Sequence, residues 1–108
     1  MFAEMHRLLR LFDQDPLVSL IILEGAGDKA FCAGGDLKEF CTETKGGKQF
    51  CWEEYRLDTL LQHLKTPVLA LINGILMGGG CGIAINSRYR IASEKTLFAM
   101  PEVRFTIQ

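Results

Sequence analysis

Two glycine-rich stretches hold the residues whose types and spacing could do chemistry. They are Phe31-Cys32-Ala33-Gly34-Gly35-Asp36 and Asn73-Gly74-Ile75-Leu76-Met77-Gly78-Gly79-Gly80-Cys81-Gly82. Consecutive glycines after a strand let the backbone come close to a ligand and adopt dihedrals closed to other residues. At the mouth of a helix such a loop exposes unpaired amides, which suit an anion or a developing negative charge. A single loop of this kind is equally well explained as a tight turn. Two of them, each leaving an apolar run and entering a helix, allow one amide from each to converge on a single oxygen. That is the geometry of an oxyanion hole, where losing one donor costs roughly 2.7–4 kcal/mol of barrier. Neither stretch has the G-x-x-x-x-G-K-[ST] spacing of a phosphate-binding loop or the G-x-G-x-x-G spacing of a dinucleotide fingerprint.

Several other side chains have reactive chemistry and a plainer explanation. Glu102 follows Pro101 at a predicted helix start, where the helix dipole favours a carboxylate in any case. Glu54 falls on an amphipathic helix among other charges, the usual place for a solvated face. Asp36 is placed to cap a helix beginning near Leu37. Cys81 lies just inside a helix behind three glycines, a position that can lower a thiol pKa. Neither His6 nor His63 has a sequence reason to stand beside it, and His63 reads as solvent-facing at a helix end. Cys32, Cys41, Cys51 and Cys81 form no C-x-x-C pair. With two histidines as the only helpers they do not have zinc spacing, so no metal is expected. They read as small hydrophobes in a reducing compartment.

The elements that must position these residues follow from apolar spacing. Leu8, Leu9, Leu11 and Phe12 continue a helical pattern from Met1 and Met5, and residues 13–16 stop it, since the residue before a proline avoids the helical region. Residues 17–23 are an apolar run predicted to be a buried parallel strand. A glycine-rich loop over 25–36 then leads to a short helix, and residues 42–50 are predicted to be a polar surface loop. Tyr55, Leu57, Leu60, Leu61 and Leu64 have helical spacing over 52–64. Pro67 separates that helix from a strand over 68–72. A second glycine-rich loop covers 73–80, followed by a helix over 81–87. Short strands at 88–92 and 96–99 flank a Ser93-Glu94-Lys95 turn, and Met100-Pro101-Glu102 would open another helix. Strands alternating with helices argue for an α/β fold with parallel strands. The strand, glycine loop, helix unit occurs twice.

The 108 residues are enough for one small domain, with 48% hydrophobic and 23% charged residues, a composition that excludes disorder. A net charge of -1 gives no electrostatic reason to expect nucleic acid or an acidic membrane as partner. The apolar run over 68–72 is far too short to span a bilayer. Asp13, Asp15 and Glu24 interrupt any signal-peptide core within residues 1–30.

Lys29-Ala30-Phe31-Cys32-Ala33-Gly34-Gly35-Asp36, the stretch from Thr66-Pro67-Val68 through Met77-Gly78-Gly79-Gly80, and Met100-Pro101-Glu102 together resemble the crotonase (enoyl-CoA hydratase/isomerase) superfamily. The resemblance runs up to about Glu102. It implies an α/β crotonase-like ββα spiral, of which residues 1–108 would be an incomplete acyl-CoA-binding core, truncated at both ends. It also implies an acyl-CoA substrate whose thioester oxygen is held by the amides of Gly35 and Gly79. Lys29, Ala30, Phe31 and Ala33 would lie along the adenine end of coenzyme A. Hydratases of the family carry one glutamate shortly after the glycine triplet and one in the Pro-Glu motif. Here the first position is Gly82 and the second is Glu102, which disfavours water addition to a double bond.

Phe50-Cys51-Trp52-Glu53-Glu54-Tyr55 and Glu94-Lys95-Thr96-Leu97-Phe98-Ala99-Met100-Pro101-Glu102 further resemble the subfamily that hydrolyses 3-hydroxyisobutyryl-CoA in valine breakdown. That resemblance makes Glu54, Gly79 and Glu102 substrate contacts. Glu102 would drive chemistry together with an aspartate eight residues later, a position beyond Gln108. Two rivals stay open: an enoyl-CoA isomerase or hydratase of the same superfamily, and a catalytically dead truncated product that only binds coenzyme A. No cofactor is expected beyond the coenzyme A of the substrate. Further copies of the chain are admitted as partners, and a mitochondrial location is expected in a eukaryote, a cytoplasmic one otherwise, with any targeting segment outside this chain.

Overall fold

A computed structural model of the chain describes residues 2–32 and 44–99, with the backbone alone for 44–51. Helix α1 (Phe2–Gln14) buries Phe2 and Leu9 and ends where Pro16 requires. Its Asp13 accepts a hydrogen bond at 2.8 Å from the Thr66 amide, so the end of α1 is tied to the entrance of a strand far along the chain. Strands β1 (Ile21–Glu24) and β2 (Ala30–Cys32) follow, then helix α2 (Thr44–His63). The second round repeats that order with β3 (Val68–Ile72), β4 (Ile75–Met77) and helix α3 (Gly79–Asn86). A third pair, β5 (Tyr89–Ala92) and β6 (Leu97–Ala99), completes the described elements.

The six strands form two parallel sheets, ordered β1-β3-β5 and β2-β4-β6. Each round of the chain therefore gives one strand to each sheet, and a helix carries it back to start the next round. The corners stack on one another through backbone bonds: the Ile75 amide donates to the Lys29 carbonyl (3.1 Å), and the Leu97 amide to the Gly74 carbonyl (3.0 Å). This is a ββα spiral, the α/β architecture expected from the sequence.

Four local expectations are corrected. The first strand begins at Ile21 and not at residue 17. The Leu17 amide is held by the Asp15 side chain at 2.9 Å, Leu17 is 91% exposed, and parallel pairing starts only where Ile21 meets Val68. Both glycine-rich loops contain a three-residue strand, β2 and β4, too short for periodicity to reveal. The polar loop predicted over 42–50 is helical from Thr44, because α2 extends backwards from the turns anchored by the buried Leu57 and Leu61. Helix α3 also begins earlier than the expected residue 81, at Gly79, so Gly79 and Gly80 are helical residues.

Two apolar clusters hold these parts together. Phe2, Leu9, Ile21, Leu57, Leu61, Leu64, Val68 and Ile83 join the three helices to the first sheet. Ala70, Ile72, Leu76, Cys81 and Ala84 fill the space between α3 and the two sheets. Phe31 packs against both. Alternate residues of β3 point into the core, with Val68, Ala70 and Ile72 buried, as a central strand demands.

Candidate active site

The seam between α2 and α3 brings two of the candidate residues, Glu54 and Gly79, together. Gly78 stands at the start of α3 with φ 60 and ψ -132, a backbone conformation that only glycine adopts at no steric cost. The Cys81 amide donates to the Gly78 carbonyl at 2.9 Å, closing a tight first turn. The amides of Gly79 and Gly80 come too early in the helix to find an acceptor within it. A β-carbon on Gly80 would lie 2.3 Å from Cβ of Cys32. The first turn of α3 can thus rest directly on the end of β2 only because position 80 is bare. Cys32 immediately precedes the Ala33-Gly34-Gly35 run in the sequence.

On its other side the same turn meets α2. A β-carbon on Gly79 would stand 3.0 Å from Oε1 of Glu54 and 3.3 Å from the ring of Phe2. One turn further along both helices, a β-carbon on Gly82 would stand 2.8 Å from Oδ2 and 3.1 Å from Oδ1 of Asp58. A turn beyond that, Gln62 donates to the Asn86 side chain at 2.6 Å, and Asn86 donates back to the Gly82 carbonyl at 2.8 Å. Glu54, Asp58 and Gln62 recur every four residues and so share one face of α2. They form three polar rungs against α3. The last of them meets a side chain of α3, that of Asn86.

Of the predicted site residues, Glu54 and Gly79 are brought into contact. Ala30 lies on β2, paired with Ile75 of β4, beside the exposed Lys29 and the half-buried Phe31. Ala33, Gly35 and Glu102 lie outside the described residues, as do Asp36 and Cys41. Cys81 is a buried thiol that donates weakly to the Leu76 carbonyl, in keeping with a small hydrophobe, and Cys32 is partly buried. His63 is exposed at the end of α2 and bonds the Thr59 carbonyl through Nδ1 at 2.7 Å, as expected of a solvent-facing residue.

Asp58 was not singled out by the sequence, although its spacing from Glu54 carries the signal. Oδ1 of Asp58 is buried and has no hydrogen-bond partner among the described residues. Burial pushes its carboxyl above the ordinary aspartate value of 3.8, because desolvation penalises the charged form. A groove of about 550 Å³ lies elsewhere, between α1 and the outer face of α2, against Arg10, Trp52 and Tyr55. There burial, followed by the charges of Arg56 and Arg10, lowers the pKa of His6. That groove is separate from the glycine seam.

The arrangement matches a known family. A profile of the enoyl-CoA hydratase/isomerase family matches residues 1–107. The chain belongs to that family. It is 44% identical over 106 residues to the mitochondrial 3-hydroxyisobutyryl-CoA hydrolase of Gallus gallus, covering 94% of this chain and 28% of the relative. The corresponding protein of Homo sapiens is 45% identical over 107 residues, with the same coverage. The chain thus spans little more than a quarter of the length of these curated relatives. Among solved structures, an enoyl-CoA hydratase from Rhodobacter sphaeroides superposes with a TM-score of 0.85 at 34% identity, over 94% of this chain and 32% of that one. One from Bacillus anthracis does so with a TM-score of 0.90 at 31% identity, over 97% and 41%. The crotonase fold and the likeness to 3-hydroxyisobutyryl-CoA hydrolases inferred from the sequence are both upheld.

Proposed function

We propose that the protein carrying this chain is a coenzyme A thioester hydrolase acting on 3-hydroxyisobutyryl-CoA, the thioester of valine breakdown. The observation that carries the reading is the first turn of α3, held between the end of β2 at Cys32 and the carboxylate of Glu54 on α2. Its free amides suit the oxygen of a thioester carbonyl, with the Gly79 amide as one donor and Gly35 as the other. As the carbonyl carbon is attacked, negative charge collects on that oxygen, and fixed amide dipoles stabilise it without reorganising. Glu54, beside Gly79, meets the hydroxyacyl end. Glu102 supplies the acid/base function. Water oxygen bonds to the carbonyl carbon, the carbon–sulfur bond breaks, and coenzyme A leaves as the thiol with a proton drawn from that water. Lys29, Ala30, Phe31 and Ala33 line the adenine end of coenzyme A, and the chemistry calls for no other cofactor. The names of the relatives support a mitochondrial location in a eukaryote.

The test is release of free thiol from 3-hydroxyisobutyryl-CoA by the purified full-length protein, followed with a thiol reagent. Release above background, abolished by Glu102→Gln, is expected. No release ends the reading, and migration of a double bond in a 3-enoyl-CoA without thiol release would replace it with an isomerase.

A further inference from the structure

The groove between α1 and the outer face of α2 takes no part in the thioester chemistry above. Helical spacing builds it. Trp52, Tyr55, Arg56 and His63 fall three, four and eleven residues along α2 and so share one face, while His6 and Arg10 stand one turn apart on α1, and all six line the groove. Trp52 and Tyr55 are 63% and 65% exposed. Arg10 and Arg56 are exposed as well. Among the described residues the one ion pair joins Arg7 to Glu4, and no aspartate or glutamate lines the groove. From this arrangement we propose that the groove docks an acidic segment of a partner protein, with carboxylates at Arg10 and Arg56 and an apolar side chain against Trp52 and Tyr55.

Charge and shape select that occupant. The chain as a whole carries a net charge of -1, so the two guanidinium groups are a local feature and not part of a general attraction for polyanions such as nucleic acid. Clustered arginines recognise acidic motifs, and Trp, Tyr and Arg are the residue types that carry most of the energy at protein interfaces. From Trp52 to His63 the floor of the groove runs roughly 16 Å, at 1.5 Å per helical residue. A compact anion would touch one turn of that floor, whereas a peptide segment follows its length. His6 stands between the two arginines in effect. Burial, then the charges of Arg56 on α2 and Arg10 on α1, lowers its pKa, and Tyr55 and His63 are the other titratable groups lining the groove. A carboxylate bound there would offset the two positive charges and raise the pKa of His6 again.

The experiment uses the full-length protein and a fluorescein-labelled peptide in which glutamates flank a central phenylalanine, with a twin carrying lysine in place of each glutamate. Fluorescence anisotropy should show binding of the acidic peptide and none of the twin. Raising the ionic strength from about 0.01 to about 0.15 M, which cuts the reach of charge from about 30 to about 8 Å, should weaken it. Arg10→Glu combined with Arg56→Glu should lower affinity about tenfold or more, and Arg10→Lys with Arg56→Lys, which keeps both charges, should stay within about threefold of native. Trp52→Ala should cost about threefold or more. The NMR titration of His6 should move to higher pH when the acidic peptide is added. Equal binding of the twin, or charge reversal without effect, overturns the proposal. So does a native protein that binds neither peptide, which would mean that the groove is already filled. Self-association of the native protein that charge reversal abolishes also overturns it, by making a second copy the occupant. Thiol release from 3-hydroxyisobutyryl-CoA should be the same in all these variants, which keeps this test apart from that of the thioesterase reading.

Discussion

The two ends of the α2–α3 seam are built from the same parts and finished differently. At the C-terminal end, Gln62 and Asn86 meet side chain to side chain and Asn86 bonds back to its own helix, so every polar group named there has a partner. At the N-terminal end, Glu54 and Asp58 lean over Gly79 and Gly82, and α3 offers a bare backbone. The closed end is what a packed helix pair needs for stability. At the open end one carboxyl oxygen of Asp58 stays buried with no hydrogen-bond partner among the described residues, a compromise that stability alone does not favour.

The comparison breaks most severely if the helices part. Leu57 is fully buried (0% exposed) on α2, between the Glu54 and Asp58 rungs. Leu57→Ala should cost about 2–5 kcal/mol through lost burial and the cavity left behind, read from urea unfolding. Both ends of the seam should loosen together. Gly80→Ala attacks from the other side, since its β-carbon would meet Cβ of Cys32 at 2.3 Å and that atom is too close to the backbone to swing away. A loss of about 1–3 kcal/mol is expected. Adding Cys32→Gly should recover part of it, a positive coupling between neighbours that a double-mutant cycle measures.

A smaller effect separates the two ends. Gln62→Ala removes one neutral hydrogen bond at an exposed position, with an expected cost of about 0.5–1.5 kcal/mol and no change in thioester turnover. A fall in kcat/KM comparable to that of an open-end variant would show that the seam acts as one unit.

Much of this was legible in the sequence, and the parts that were not share a cause. Residues 68–72 read as a strand because they form a short unbroken apolar run behind Pro67, and the structure buries every second one of them. Leu57, Leu61 and Leu64 gave away α2 by their spacing. The strands β2 and β4 escaped because three residues carry no period, and what makes them strands is the pairing of one corner upon the next. Residues 17–20 misled because an apolar run says nothing about whether a partner strand exists. The glycine stretches pointed to the backbone and not to what faces it. That Glu54 and Asp58 share a helical face was written in their spacing, but that Gly79 and Gly82 lie opposite them depended on the tertiary packing of two helices.

The most delicate test concerns the open end alone. Burial raises the Asp58 carboxyl above its ordinary value of 3.8 in the folded state, so the folded chain holds that proton more tightly than the unfolded one. Below 3.8 both states are protonated and the favourable contribution is fully present. It is lost as pH rises through the folded value, where the native state must bury a charge that the unfolded state exposes to water. Asp58→Asn, which does not titrate, removes this dependence. The stability of the native protein minus that of Asp58→Asn should therefore be greatest in acid, fall as pH rises from 3.8 through the folded value, and level off above it. Unfolding in urea at a series of pH values measures the difference. A difference that grew with pH would mean that Asp58 gains from its charge in the fold, as a paired carboxylate does, and the open end would then be closed by a partner after all.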